Sequence, residues 1–157
     1  MAEKFIEYIR TAEEKIQNTD HMIYVTFPLI KDKRLLLKIL SEINIIILNL
    51  LNAILQYEYI LKKIKLSKDA RINLRIFTEQ CAPRYQINDA EIKLILEILE
   101  LGEKHKKSPF EFIREEKVII LSENLNLSIV TIEKAKEFIL LCKSLLKKTR
   151  EKIYQVV

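Results

Sequence analysis

Glycine is nearly missing from this chain. Gly102 is the only one in 157 residues, and only three prolines accompany it: Pro28, Pro83 and Pro109. An average chain of this length would hold about eleven glycines. Glycine turns the backbone at positive φ and lets it approach a ligand closely. The phosphate-cradling loops G-x-x-x-x-G-K-[ST] and G-x-G-x-x-G and the G-x-S-x-G nucleophile elbow are therefore excluded. Two-residue hairpins built on Asn-Gly or Gly-X are excluded with them. Tryptophan is absent, and the two cysteines, Cys81 and Cys142, have neither CxxC spacing nor a nearby histidine. Zinc sites and disulfide frameworks need more ligands than that, so both read as small buried residues in a reducing compartment.

Histidine is almost as scarce, with His21 and His105 alone. No HExxH and no paired Glu-x-x-His is present, so metal catalysis is not expected. The Arg-x(4–6)-His pattern of RNA-cleaving helical families is missing too: Arg10 lies too far before His21, and no arginine lies shortly before His105. No catalytic residue, metal or cofactor is expected. The opening MAEKFIEYIR has acids at Glu3 and Glu7 and no A-x-A site, which argues against a signal peptide and for a cytoplasmic protein.

What is present is material for helices. About 49% of residues are hydrophobic, and Ile, Leu, Lys and Glu dominate. The expected fold is a single helical domain over 1–157, all-α, an elongated antiparallel bundle of about five to six helices. Phe5, Ile9, Ala12, Ile16, Thr19 and Ile23 recur in alternating steps of four and three, which makes a helix of about 3–23. Residues 24–29 contain Pro28, which biases Phe27 away from helix, so an extended connector is expected. Asp32 is a helix N-cap candidate, and no Gly or Pro follows until Pro83, so a long central helix of about 33–66 is expected. Ser67 opens a helix over about 68–81, ending before Pro83. Asn88-Asp89-Ala90-Glu91 has capping-box spacing and opens the next helix, with Gly102 as its C-terminal cap or a local loosening. Ser108-Pro109-Phe110-Glu111 is a second start signal, for a short helix to about Glu116. Residues 117–130 read either as irregular or helical structure or as a small β-ribbon. Ile132, Ala135, Ile139, Cys142, Leu146, Thr149 and Ile153 mark a last helix of about 131–154.

Residues 43–61 have the length of a membrane span, but Asn44, Asn49, Asn52, Gln56 and Glu58 interrupt it. A helix buried in a soluble bundle, with no membrane partner, is expected. A polar stripe of Glu42, Asn49, Asn52 and Gln56 runs along it. This is a solvent strip, an amide ladder across a helix pair, or a ligand-lining set. The segment near Tyr57, Tyr59, Ile60 and Ile64 needs cover, which either the following helix supplies in part by folding back or a second copy of the chain supplies as a homodimer.

Charge is the most suggestive property. The formal net charge is +5, and the sequence pI is about 9.1. Cations cluster at Lys31, Lys33, Arg34 and Lys38; at Lys62, Lys63, Lys65, Lys68, Arg71 and Arg75; at Lys104, Lys106 and Lys107; and at Lys143, Lys147, Lys148, Arg150 and Lys152. Such clusters bind phosphates by releasing counterions. The resulting expectation is a non-enzymatic binding or adaptor protein that engages RNA, DNA or a protein partner through a basic helical surface. The alternatives are an enzyme with an inter-helical site near His21 and Tyr24, and a purely structural homo-oligomer.

Overall fold

The computed structural model describes residues 2–30, 32–107, 110–114, 117–121 and 127–154, with side chains described over 4–30, 32, 34–103 and 131–154. Its body is all-α. The first helix, α1 (Ala2–His21), buries the stripe Phe5, Ile9, Ala12, Ile16 and Thr19. It does not give way to an extended connector. It continues through a π-helical turn, Met22–Thr26, into a single further turn, α2 (Phe27–Ile30). Phe27 is helical at φ −60°, ψ −46°, and its N–H bonds back to the Met22 carbonyl. An α-helix has no room for a proline ring against the carbonyl four residues back. The extra residue of a π-turn, placed just before Pro28, widens the helix there and lets it pass.

Asp32 caps the central helix, α3 (Lys33–Ile60), by accepting from the Arg34 N–H at 2.9 Å. At 1.5 Å per residue, α3 is about 42 Å long. The expected end at 66 is corrected to Ile60. Lys62 takes a left-handed φ of 61°. Lys62 and Lys63 then donate backward to the Tyr59 and Glu58 carbonyls at 2.9 and 3.0 Å. This is the Schellman closure, with lysine where glycine is usual, at a cost of about 1 kcal/mol. It returns the chain so that Ile64 is buried. Leu36, Ile39, Ile43, Ile46, Ile47, Leu50 and Ile54 give α3 a fully buried face. By length and composition alone, Arg34–Ile60 would also suffice to cross a membrane.

Asp69, not Ser67, caps α4 (Ala70–Ile76). The Ser67 N–H instead donates to Asn73 Oδ1 at 2.8 Å, and the Ser67 carbonyl accepts from Asn73 Nδ2 at 2.9 Å. The helix expected over 68–81 is thus split. After α4 come a second π-turn, Phe77–Cys81, and a 3₁₀ turn, Ala82–Tyr85, with Pro83 in its first positions. Gln86, at φ 56°, ends it.

Helix α5 (Asp89–Lys107) begins with a reciprocal capping box: Glu91 N–H to Asn88 Oδ1 at 2.8 Å, and Asn88 N–H to Glu91 Oε1 at 3.1 Å. Gly102 lies inside α5 and does not cap it. A Cβ there would sit 2.5 Å from Asn44 Oδ1, so this glycine allows α5 to close on α3. The helix expected from Ser108 to Glu116 is also corrected. Ser108, Pro109, Glu115 and Glu116 lie outside the described residues, and Phe110–Arg114 is an extended strand, β1. It pairs antiparallel with β2 (Lys117–Leu121), and β2 with β3 (Leu127–Thr131), in the order β1-β2-β3. Phe112 stands opposite Ile119, and Ile119 opposite Ile129. Local start signals therefore lost to cross-strand pairing. Thr131 caps the last helix, α6 (Ile132–Ile153).

Cross-helix pairs set the relative directions. Phe5 meets Tyr57 edge-on at 5.2 Å and Lys15 meets Glu42 at 2.8 Å, so α1 and α3 run opposite ways. Asp20 meets Lys143 and Glu13 meets Arg150, which does the same for α1 and α6. Glu91 and Glu97 reach Lys148 and Lys134, which does it for α5 and α6.

Candidate nucleic-acid interface

The basic clusters have different fates. On α6, Lys143 is paired with Asp20 at 2.6 Å, Lys148 with Glu91, and Arg150 with Glu13 at 3.3 Å. Lys147 is exposed. Lys104, Lys106 and Lys107 end α5, with side chains outside those described. The segment between α3 and α4 differs. Lys62, Lys63, Lys65, Lys68, Arg71 and Arg75 are all exposed, and Asp69 is the only acid among them. Asp69 lies 3.7 Å from the Arg71 guanidinium, whose side chain is 93% exposed, so little of that charge is neutralised. Six cations against one carboxylate give the strip a formal charge of +5.

The strip is held at both ends. The Asn73 amide and Ser67 lock the approach to α4. At the other end, Glu58 is completely buried one turn before Lys62. The Arg84 guanidinium donates to Glu58 Oε1, and the Tyr85 hydroxyl lies 3.4 Å from Oε2. This pair ties the end of α3 to the 3₁₀ turn. Burial, reinforced by the Glu58 charge, pushes the Cys81 thiol up to about 11 and raises the Tyr85 hydroxyl well above its usual range. Burial also holds the Cys142 thiol up at about 12. Both thiols are therefore protonated at neutral pH and poorly nucleophilic.

A cleft of about 550 Å³ opens between α3, α4 and α5, beside the strip. Its walls are mainly aliphatic, from Leu48, Leu51, Leu55, Leu74 and Leu99, and Asn52 and Arg71 join the lining. The polar stripe is not one site. Glu42 faces α1 and pairs with Lys15, and Asn49 Nδ2 donates to its own helix at Ile45 O, 2.8 Å away. Asn52 lines the cleft, and Gln56 is half-buried. His21 is exposed, while the Tyr24 ring faces the Lys136 and Lys143 ammonium groups at 5.5 and 6.0 Å. Neither residue lines the cleft. Among the described residues, no group of three or more His, Cys, Asp or Glu could hold a metal ion.

Sequence reasoning did not single out Arg84, or Glu58 as its partner. Glu58 alone carries a signal, since it is an acid within an apolar helix where a buried charge requires a partner. Compared with known protein families, curated proteins and solved structures, the chain matches none.

Proposed function

We propose that this is a non-enzymatic binding protein whose basic surface between α3 and α4 engages nucleic acid. The architecture that accompanies this reading is an elongated antiparallel bundle with a small β-ribbon over 117–130 at one end. The observation that carries it is the strip of Lys62, Lys63, Lys65, Lys68, Arg71 and Arg75, all exposed, in a segment whose one acid is Asp69. A flexible lysine tail would lose entropy on binding, whereas this strip sits on backbone already anchored by Asn73 and by Glu58–Arg84. Contacts from lysine and arginine to phosphates carry affinity with little sequence preference.

The test is a gel shift with mixed-sequence RNA and DNA over a salt series. Binding is expected at low salt and falls steeply as salt rises. Reversing Lys62, Lys63 and Arg75 to Glu lowers the slope of log affinity against log salt by about three. Lys147→Glu on α6 changes it by about one or less. No shift with either nucleic acid at low salt removes the reading. A second reading, an adaptor for a protein partner, is favoured by the aliphatic cleft next to the strip. Pull-down of protein that survives high salt and is lost in Leu48→Glu would favour it.

A further inference from the structure

Among the described residues, the most exposed apolar side chains lie at the other end of α3, around α2. Leu29 is 80% exposed and Ile30 64%, with Tyr24 and Val25 at 45% each on the preceding π-turn. Leu29 follows Val25 by four residues, so the two share a helix face. Leu140 on α6, 59% exposed, stands between Lys136 and Lys143, whose ammonium groups both lie over the Tyr24 ring. Lys136 and Lys143 thus link Tyr24 to the α6 face that carries Leu140. Its polar border is rich in cations. Lys136 and Lys143 flank Leu140, and exposed Arg34 and Lys38 follow Ile30 on the first turns of α3. Carboxylates near this border are Asp20, paired with Lys143, the capping Asp32, and on α6 the exposed Glu133 and Glu137, the latter 3.3 Å from Lys134.

From this arrangement we infer that the α2 tip docks on an anionic lipid surface. A side chain 80% exposed protrudes and does not line a groove, so the tip suits insertion better than it suits holding a partner helix. Protruding Leu and Ile enter the acyl boundary, a tyrosine sits at the level of the headgroups, and lysines reach the phosphates above it. The cations select for negative headgroups. The contact is peripheral and leaves α3 in its core. It departs from the expectation of no membrane partner, which rested on weighing a spanning helix only. It uses residues separate from the α3–α4 strip.

The test is sedimentation of the full chain with phosphatidylcholine vesicles, with and without about one-third phosphatidylserine. Binding is expected to the anionic vesicles only. Leu29→Ser with Ile30→Ser is expected to weaken it by about tenfold or more, with the circular dichroism spectrum and melting temperature unchanged. Lys136→Glu is expected to weaken it several-fold. Absence of binding to the anionic vesicles overturns the inference. Equal binding by the double serine variant also overturns it, since the basic strip then accounts for the attraction. A concentration-dependent dimer, seen by light scattering and abolished by the same two substitutions, overturns it in favour of a second copy of the chain.

Discussion

Two turns of this molecule share a backbone and differ in everything built on it. Met22–Thr26 and Phe77–Cys81 are both five-residue π-turns. Each is followed by a short helical turn with proline in second place, Phe27–Ile30 and Ala82–Tyr85. In both, the residue before the proline donates its N–H five residues back. The residues after the proline then diverge. Leu29 and Ile30 follow Pro28 and are exposed, whereas Arg84 and Tyr85 follow Pro83 and reach the buried carboxylate of Glu58. Polarity is inverted, with apolar groups outside at the first turn and polar groups inside at the second. The lesson is that a widened turn solves only the proline problem. What the turn does depends on what lies opposite: a buried carboxylate at the second, solvent and a border rich in cations at the first.

The sharpest way to break this comparison is at Arg84. Arg84→Ala strands Glu58 as an unpaired buried charge and should cost about 3–5 kcal/mol. Urea or thermal unfolding measures it. Adding Glu58→Leu should recover part of that loss, because a leucine of similar size to the glutamate no longer buries a charge. A loss under 1 kcal/mol in the single variant would mean that the second turn is as loosely held as the first.

A smaller effect is expected just beyond that turn. Lys148 donates to the Gln86 carbonyl at 2.8 Å and to Glu91, clamping the end of the 3₁₀ turn onto α6. Burial alone would raise the Glu91 carboxyl above its ordinary value of about 4.5. Hydrogen bonds from Lys148, the Asn88 backbone and Ser144 outweigh burial and hold it below that value. Because the folded value is depressed, the stabilisation is present above about 4.5 and is lost as pH falls through the folded value. Glu91→Ala should therefore cost about 2 kcal/mol at neutral pH, and the gap from the unmodified chain should narrow as pH falls through the depressed folded value. Unfolding measured across pH checks both the size and the sign.

The smallest effect belongs to the first turn. Leu29→Ser with Ile30→Ser should leave stability within about 0.5 kcal/mol, since these side chains touch little. A destabilisation above 2 kcal/mol by thermal melting would show that the two turns are equally structural.

Particular residues show how much could be read in advance. The stripe from Phe5 to Ile23 and the seam from Ile132 to Ile153 are buried along their length, apart from the half-buried Leu146, because helical periodicity is local information. The Asn88–Glu91 capping box forms for the same reason. Helix ends were less legible. Pro28 reads as a break, yet its helix continues, since a π-turn leaves no signature in residue type. Lys62 gives no sign of the left-handed turn that ends α3, because glycine is the usual marker and this chain has one. Phe110–Arg114 follows a good start signal but is extended, because its pairing with Lys117–Leu121 is decided across strands.

The candidate surface divides in the same way. Sequence alone determined that the chain is helical, carries a net positive charge, and cannot build glycine-dependent phosphate loops, since composition and periodicity settle each of these. Which cations remain available was decided only by tertiary structure. Lys143, Lys148 and Arg150 look as free in sequence as Lys62, Lys63 and Arg75. Their carboxylate partners stand between 57 and 137 residues away along the chain and are brought within reach only by packing of α6 against α1 and α5.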